Sequence, residues 1–373
     1  MTRTDKFLKE TAEVLEHNIL DYWLDFSEPE GAILGARIVW TFSAAYAALR
    51  KPGYLEKARQ ACDSFISNYV DNDFGGVYWN VAADGSPIDD KKQLYAQGFA
   101  IYGLSEFYKV SGDARALATA AALYQVVEET FADREHGGYI EALARDFSPL
   151  EDMSLSAHDI NADKTMNSHL HLMEAYANLY RVWPEPSLGE ALRRLIELCC
   201  TRIMGPDGHL QLYFSSDWKV LPGAVSYGHD IETSWLLLEC AFALHDLDLV
   251  SRVRPFALVM GRAGNEGLMP DGSMRYEKFA DGSFDDSRQW WVQAETVVGN
   301  LWLWKYHGDD SAVDRALACW EYIRDHLVDF EGGEWYWAIL PDGSPDLSQP
   351  KAGFWKCPYH NSRMCLEIMK LFV

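Results

Sequence analysis

Residues 225–239 read VSYGHDIETSWLLLE. From His229 to Val250 the chain contains no Lys or Arg, and its apolar residues recur at helical spacing. A helix on the surface of a globular protein carries a charged outer stripe, whereas one that is apolar around most of its circumference is buried on several sides. Yet this helix opens with an imidazole at His229, a carboxylate at Glu232 and an indole at Trp235. Burying such groups without partners costs about 1–3 kcal/mol each. The segment therefore describes a helix packed against other helices on one side and facing a polar cavity on the other.

Five further stretches have the same character, and each follows a more charged helix. The spacing predicts helix pairs over 5–24 and 32–50, 54–70 and 91–110, 112–130 and 164–182, 187–202 and 229–246, 247–262 and 287–307, and 310–329 and 353–372. The first members carry the basic residues, among them Lys57, Arg59, Arg193, Arg194, Arg315 and Arg324. Between pairs a phrase recurs about every 60 to 70 residues: NDFGGVYWN (72–80), REHGGYIE (134–141), GPDGHLQLYF (205–214), NEGLMPDGS (265–273) and FEGGEWYWAILPDGS (330–344). Glycine suits the tight turn and the short aromatic run suits a hairpin strand. A fixed internal period signals a repeat architecture. Six helix pairs imply an all-α (α/α)6 barrel, its second helices forming an inner ring, with short β-hairpins at one end. No low-complexity linker or charge block divides the chain, so one domain over residues 1–373 is expected.

The totals exclude several function classes. With 56 acidic against 33 basic residues the formal net charge is −23, which repels phosphate backbones and disfavours nucleic acid as a partner. Seven cysteines, with no C-x-x-C pair, fit free thiols in a reducing cytoplasm. No stretch reaches the roughly 20 apolar residues of a membrane span, and the N-terminus lacks the apolar core of a signal peptide. A cytoplasmic enzyme without a membrane partner, monomeric or homodimeric, is expected. The 14 Trp, 19 Tyr and 17 Phe are numerous enough to serve a pocket as well as a core, because aromatic faces pack on the apolar faces of sugar rings.

Each inner helix carries polar groups where core residues belong. In KTMNSHLHLMEAYANLYR (164–181), Asn167, His171, Glu174 and Asn178 are spaced 4, 3 and 4 and form one stripe; His169 lies off it and reads as a packing residue. His229 and Glu232, at i and i+3, are within reach of one another, so that the carboxylate would orient the imidazole and raise its pKa. GARIVWTFSAAY contributes Arg37, a lone cation that needs an anion or a bound ligand if buried. KKQLYAQGFAIY contributes Tyr95. DSRQWWVQAETVVGN contributes Trp291 and Glu295, with Trp290 alongside, and KAGFWKCPYHNSRMC contributes Trp355 and His360. His171, His229, Glu232 and His360 could form a metal site, but no H-x-x-x-H or H-E-x-x-H spacing is present, and no metal is expected.

Four of these segments, KTMNSHLHLMEAYANLYR, SYGHDIETSWLL, RQWWVQAE and FWKCPYHNSRMCLEI, closely resemble motifs of the cellobiose 2-epimerases, within the wider N-acylglucosamine 2-epimerase superfamily. The resemblance runs in order from GARIVWTFSAAY to the C-terminus. It implies an (α/α)6 barrel and reversible epimerisation at C2 of the reducing-end glucose or mannose of β-1,4-linked disaccharides, with no metal or organic cofactor. By motif it implies His229, His360, His171, Glu232 and Arg37 as catalytic residues, and Tyr95, Asn167, Trp235, Trp291, Glu295 and Trp355 as substrate-binding ones. His360 and His229 would be the two bases on opposite faces of C2, with His171 assisting ring opening. On the residues alone, an aldose–ketose isomerase, a monosaccharide 2-epimerase acting on mannose or glucose, a glycoside hydrolase and a binding module remain alternatives. The hydrolase would need two opposed carboxylates.

Overall fold

A computed structural model of the chain describes residues 2–26, 31–156 and 159–372. Twelve helical segments alternate outside and inside. The outer members are α1 (3–24), α3 (Pro52–Tyr69), α5 (Ala114–Val126), α7 (Pro186–Leu198), α9 (Leu247–Gly264) and α11 (Asp310–Tyr322). The inner ones are α2 (Gly31–Leu49), α4 (Leu94–Ser111), α6 (Met166–Val182), α8 (Tyr227–Ala243), α10 (Trp290–His307) and α12 (Tyr359–Leu371). Each inner helix packs on the next, and α12 returns to α2, so the inner ring closes as an (α/α)6 barrel.

Burial follows the sequence pattern. Nearly every side chain in the first three turns of α2, α4, α6, α8 and α10 is buried. Outer helices bury a single stripe; α7, for example, buries Leu188, Ala191, Leu192, Leu195 and Ile196. By length and composition α2 could cross a membrane, but most of it is buried against its neighbours here.

Four predicted inner-helix starts move inward by a few residues. Lys92–Gln93, Lys164–Thr165 and Arg288–Gln289 are two-residue strands, not helix, paired with Ala142–Leu143, Tyr213–Phe214 and Ala338–Ile339. The last inner helix begins at Tyr359 instead of residue 353, because Pro358 sits at its N-cap.

The recurring acidic turns have a structural task at this rim. The acid of the turn binds the cation that precedes an inner helix. Lys92 donates to Asp71 at 2.8 Å, Lys164 to Asp133 at 2.6 Å and Lys351 to Asp329 at 2.7 Å. Inside the helix start, a polar side chain then holds the backbone of the turn. Gln97 accepts from the Val77 amide and donates to its carbonyl, and Gln293 does the same with Met274. His169 accepts from the Tyr139 amide at 3.0 Å, and its Nδ1 lies 2.7 Å from the Thr165 carbonyl. Its expected place as a packing residue is where the structure puts it.

The inner helices approach closely where Gly103 lies: a Cβ there would sit 2.5 Å from the Ala36 carbonyl oxygen of α2. Gly103→Ala should therefore destabilise the fold by about 1–3 kcal/mol through overpacking. Gly53→Ala, where nothing lies within 4 Å, should be neutral or stabilising by up to about 1 kcal/mol. Chemical denaturation of both variants checks the pair.

Candidate active site

The inner helices deliver their polar residues to one end of the lumen, beside the hairpin rim. Arg363 of α12 organises the centre. Its Nη2 donates to Glu232 of α8 and to Glu295 of α10, both at 2.6 Å, and its Nη1 donates to Glu174 of α6. Tyr359 also donates to Glu174, at 2.5 Å. All of these groups are buried.

The carboxylates in turn set the histidines. His171 Nδ1 lies 3.0 Å from Glu174 Oε2, and His360 Nδ1 lies 2.7 Å from Glu295 Oε1. An ionised carboxylate only accepts, so each Nδ1 carries the proton and each Nε2 keeps its lone pair. Burial, joined by the positive field of Arg37 and Arg363, holds the His360 imidazole well below the usual range. His171 is lowered by burial despite Glu174, and His229 is lowered to about 3, mostly by burial. Burial thus biases all three imidazoles toward the neutral form.

The expected pairing of Glu232 with His229 does not form. Glu232 turns to Arg363, whereas His229 Nδ1 shares a hydrogen bond of 2.8 Å with the Ser226 hydroxyl, three residues before it. The expected rise in the His229 pKa is replaced by a fall, since no carboxylate touches the ring. The reason is competition: a full guanidinium charge within reach outbids a neutral imidazole for the carboxylate.

The carboxylates themselves divide. Burial would raise Glu174, but Arg363 and His171 bring it down to about 2. Glu232 is pushed up to about 8 by burial and by repulsion from Glu295, against the pull of Arg363. Glu295 is raised less, because Arg363, His360 and the Trp235 indole N–H at 3.0 Å all donate to it. Glu232 has one donor, and its Oε2 has no partner. The proton of this pair therefore resides on Glu232.

His229 and His360 pack on one indole. The Trp291 ring lies 4.6 Å from His229 and 5.7 Å from His360, centroid to centroid. Gly228 makes room for it: a Cβ there would come within 2.9 Å of the indole. Trp355 packs 6.1 Å from Tyr95, and Tyr95 packs 5.2 Å from His171. Trp291, Trp355, His229 and Asn167 keep partial solvent exposure amid buried neighbours, as residues lining a cleft do. The Asn167 Oδ1 has no partner. Arg37 donates to Tyr95 at 2.9 Å and to Cys357 Sγ at 3.4 Å.

Of the sequence-derived candidates, Trp235 lies behind Glu295 as its donor, and Trp290 packs away from the cleft on Trp337. Asn178 ties α6 to α4 through the Tyr102 carbonyl and Ser105. The residues missed are Arg363 and Tyr359. The signal for Arg363 resembled the one that exposed Arg37: a cation in the first turns of an inner helix, where side chains are buried. Among the described residues Glu232, Glu295 and His360 place donor atoms within 4.8 Å of one another. The position between the two carboxylates is held by Arg363, so this cluster already has its cation.

The fold and the lumen together define an (α/α)6-barrel isomerase whose inner ring carries the buried or half-buried imidazoles of His171, His229 and His360. A family model described as N-acylglucosamine 2-epimerase (GlcNAc 2-epimerase) matches residues 23–362. The chain belongs to the N-acylglucosamine 2-epimerase family. It is 49% identical to a cellobiose 2-epimerase of Bacteroides fragilis over 91% of this chain and 87% of that one. Its fold superposes on the structure of a cellobiose 2-epimerase from Spirochaeta thermophila with a TM-score of 0.91 at 39% identity, covering 99% and 97% of the two chains. A cellobiose 2-epimerase from Bacillus thermoamylovorans superposes with a TM-score of 0.93 at 34% identity, covering 98% and 99%.

Removing the central cation should take the counter-charge from three buried carboxyl groups and the one donor from Glu232. Arg363→Met is expected to lose about 3–5 kcal/mol of stability, measured by urea unfolding, and to abolish sugar turnover in whatever fraction folds.

Proposed function

We propose that the protein is a metal-independent cytoplasmic 2-epimerase, its chain one catalytic domain, acting on the reducing end of β-1,4-linked disaccharides. It interconverts cellobiose and glucosylmannose, with mannobiose as a second substrate. The observation that supports the reading best is the convergence of two imidazoles, on His229 and His360, upon one indole.

The C2 proton of an open-chain aldose lies α to the aldehyde. One imidazole takes this proton; the C–H electrons form the C1–C2 double bond, and negative charge passes to O1. The base on the other face enters this step as the imidazolium and gives its Nε2 proton to C2 as the aldehyde re-forms, becoming neutral while the first base leaves as the imidazolium. Each base ends in the other's starting protonation state, and exchange with water resets the pair. His360 enters with its Nε2 free because Glu295 fixes Nδ1. His171, fixed in the same way by Glu174, serves proton transfer at the ring oxygen during opening. Arg37 supports the oxyanion. Trp291 and Trp355 stack on the sugar rings, and Tyr95 and Asn167 bind hydroxyls. Trp235 and Glu295 position His360.

Incubating the protein with cellobiose, mannobiose, mannose and glucose in D₂O, followed by product NMR, tests this reading. Deuterium at C2 of an aldose disaccharide is expected. A ketose would instead indicate an isomerase, and released monosaccharide a hydrolase. His229→Asn and His360→Asn should each lower kcat by about 10²–10⁴; near-normal turnover in either would overturn the two-base scheme.

The pH dependence follows from the shifted groups. Since burial lowers His171, His229 and His360, the free enzyme keeps them neutral below the usual 6.5, and the acid limb of kcat/KM should lie under that value. Glu232 loses its proton as pH rises through about 8, adding a negative charge where the enediolate forms. Activity should fall there in the wild type, and this alkaline limb should be absent from Glu232→Gln.

A further inference from the structure

Two buried arginines pack on the Tyr359 ring, at 4.9 Å (Arg37) and 4.3 Å (Arg363) from its centroid. They are electrostatic opposites. Arg363 has ion pairs with three carboxylates. Arg37 is only 3% exposed, yet among the described residues it has no carboxylate partner. Its hydrogen-bond acceptors are a phenol and a thiol sulfur. Its Nε has no partner, and the Phe99 ring lies 4.1 Å from its carbon. A guanidinium offers five N–H donors in a planar fork, and here the fork is under-used and its charge uncompensated.

A buried cation without an anion is costly unless a ligand supplies the charge. Under the epimerase reading, on which this inference rests, that charge is the transient oxyanion at C1. Turnover supplies it only briefly, and both the substrate and the product are neutral. We infer that the site binds aldonates, the open-chain sugar acids in which a carboxylate replaces the C1 aldehyde, in preference to neutral open-chain sugars. A C1 carboxylate has two coplanar oxygens and a permanent charge, the geometry a guanidinium fork recognises. Arg37 donates to Tyr95, whose ring packs on His171 and Trp355, so a C1 carboxylate bound among these residues would take the place proposed for the enediolate oxygens. Aldonates are therefore competitive inhibitors of the enzyme. The surface charge of −23 does not oppose this at physiological salt, where exposed charges are screened beyond about 8 Å.

The test is calorimetric titration at pH 7.5 and 0.15 M salt with three probes: cellobionate, its neutral amide cellobionamide, and cellobiitol. Cellobionate should bind roughly tenfold or more tightly than the amide, in keeping with a hydrogen-bonded charge pair, and should compete with cellobiose in turnover. Arg37→Gln should remove this preference while changing cellobiitol affinity by less than about threefold. Equal affinity of acid and amide for the wild type, a comparison that needs no variant, would overturn the inference, as would a preference that survives Arg37→Gln. Deuterium incorporation from D₂O into cellobiose, measured on the same preparation, separates the two readings. Exchange without acid preference sinks the anion site alone; acid preference without exchange sinks the epimerase reading and keeps the anion site.

Discussion

One guanidinium holds the lumen together. Arg363 comes from the last inner helix and meets carboxylates from α6, α8 and α10. Three ionised carboxylates converging in a buried space would repel one another and lose their hydration, a penalty of several kcal/mol for each ion. With Arg363 among them, and one proton on Glu232, the cluster has two negative charges facing one positive. Arg37, packed on the Tyr359 ring, supplies the second positive charge. The lumen is thus close to neutral overall, but its charges are not evenly paired. The same contacts that join α12 to the other helices also fix the tautomers of His171 and His360, so ring closure and chemistry depend on the same atoms.

The barrel was legible because its two rings live in different environments. An outer helix meets water on one side and must carry charge there; an inner helix does not. The absence of Lys and Arg from 229–250 and the basic residues of the paired outer helices are direct records of that difference. The polar exceptions on the inner helices were legible for the same reason, and they converge at one end of the lumen. Helix starts were less legible, because the two residues before an inner helix, such as Lys164–Thr165, are polar ones that a first helical turn also tolerates, while here they belong to a strand.

The partners of the polar residues were mostly hidden. Glu232 looked suited to His229 by spacing, but its real partner is 131 residues away, and Glu174 and Arg363 are 189 residues apart. A local rule compares i with i+3; it has no access to a guanidinium that arrives from the other side of a closed ring. Arg363 itself was in view within NSRMC, yet Trp355 and His360 earlier in the same motif drew the chemical reading. Its role becomes visible only when the ring closes and three acids, each with a plausible local partner, turn out to share one cation.

A freely reversible epimerase sets a demand that this arrangement meets in an indirect way. Either face of C2 can lose its proton first, so the two bases need similar proton affinities; each pKa unit of disparity biases the directions by about 1.4 kcal/mol. His229 and His360 have dissimilar surroundings. His229 has a hydroxyl as its hydrogen-bond partner and the Trp291 ring against it, and burial does most of the lowering to about 3. His360 touches a carboxylate, which by itself would make it the stronger base, but burial first, and then two nearby guanidiniums, lower it well below the usual value. In the proposed reaction the uncompensated Arg37 therefore does two things: it attracts the developing oxyanion, and it offsets Glu295 at His360. When negative charge forms on the sugar, it neutralises that field and raises the proton affinity of both imidazoles together. The bases become strong only when there is an enediolate between them to receive the proton back.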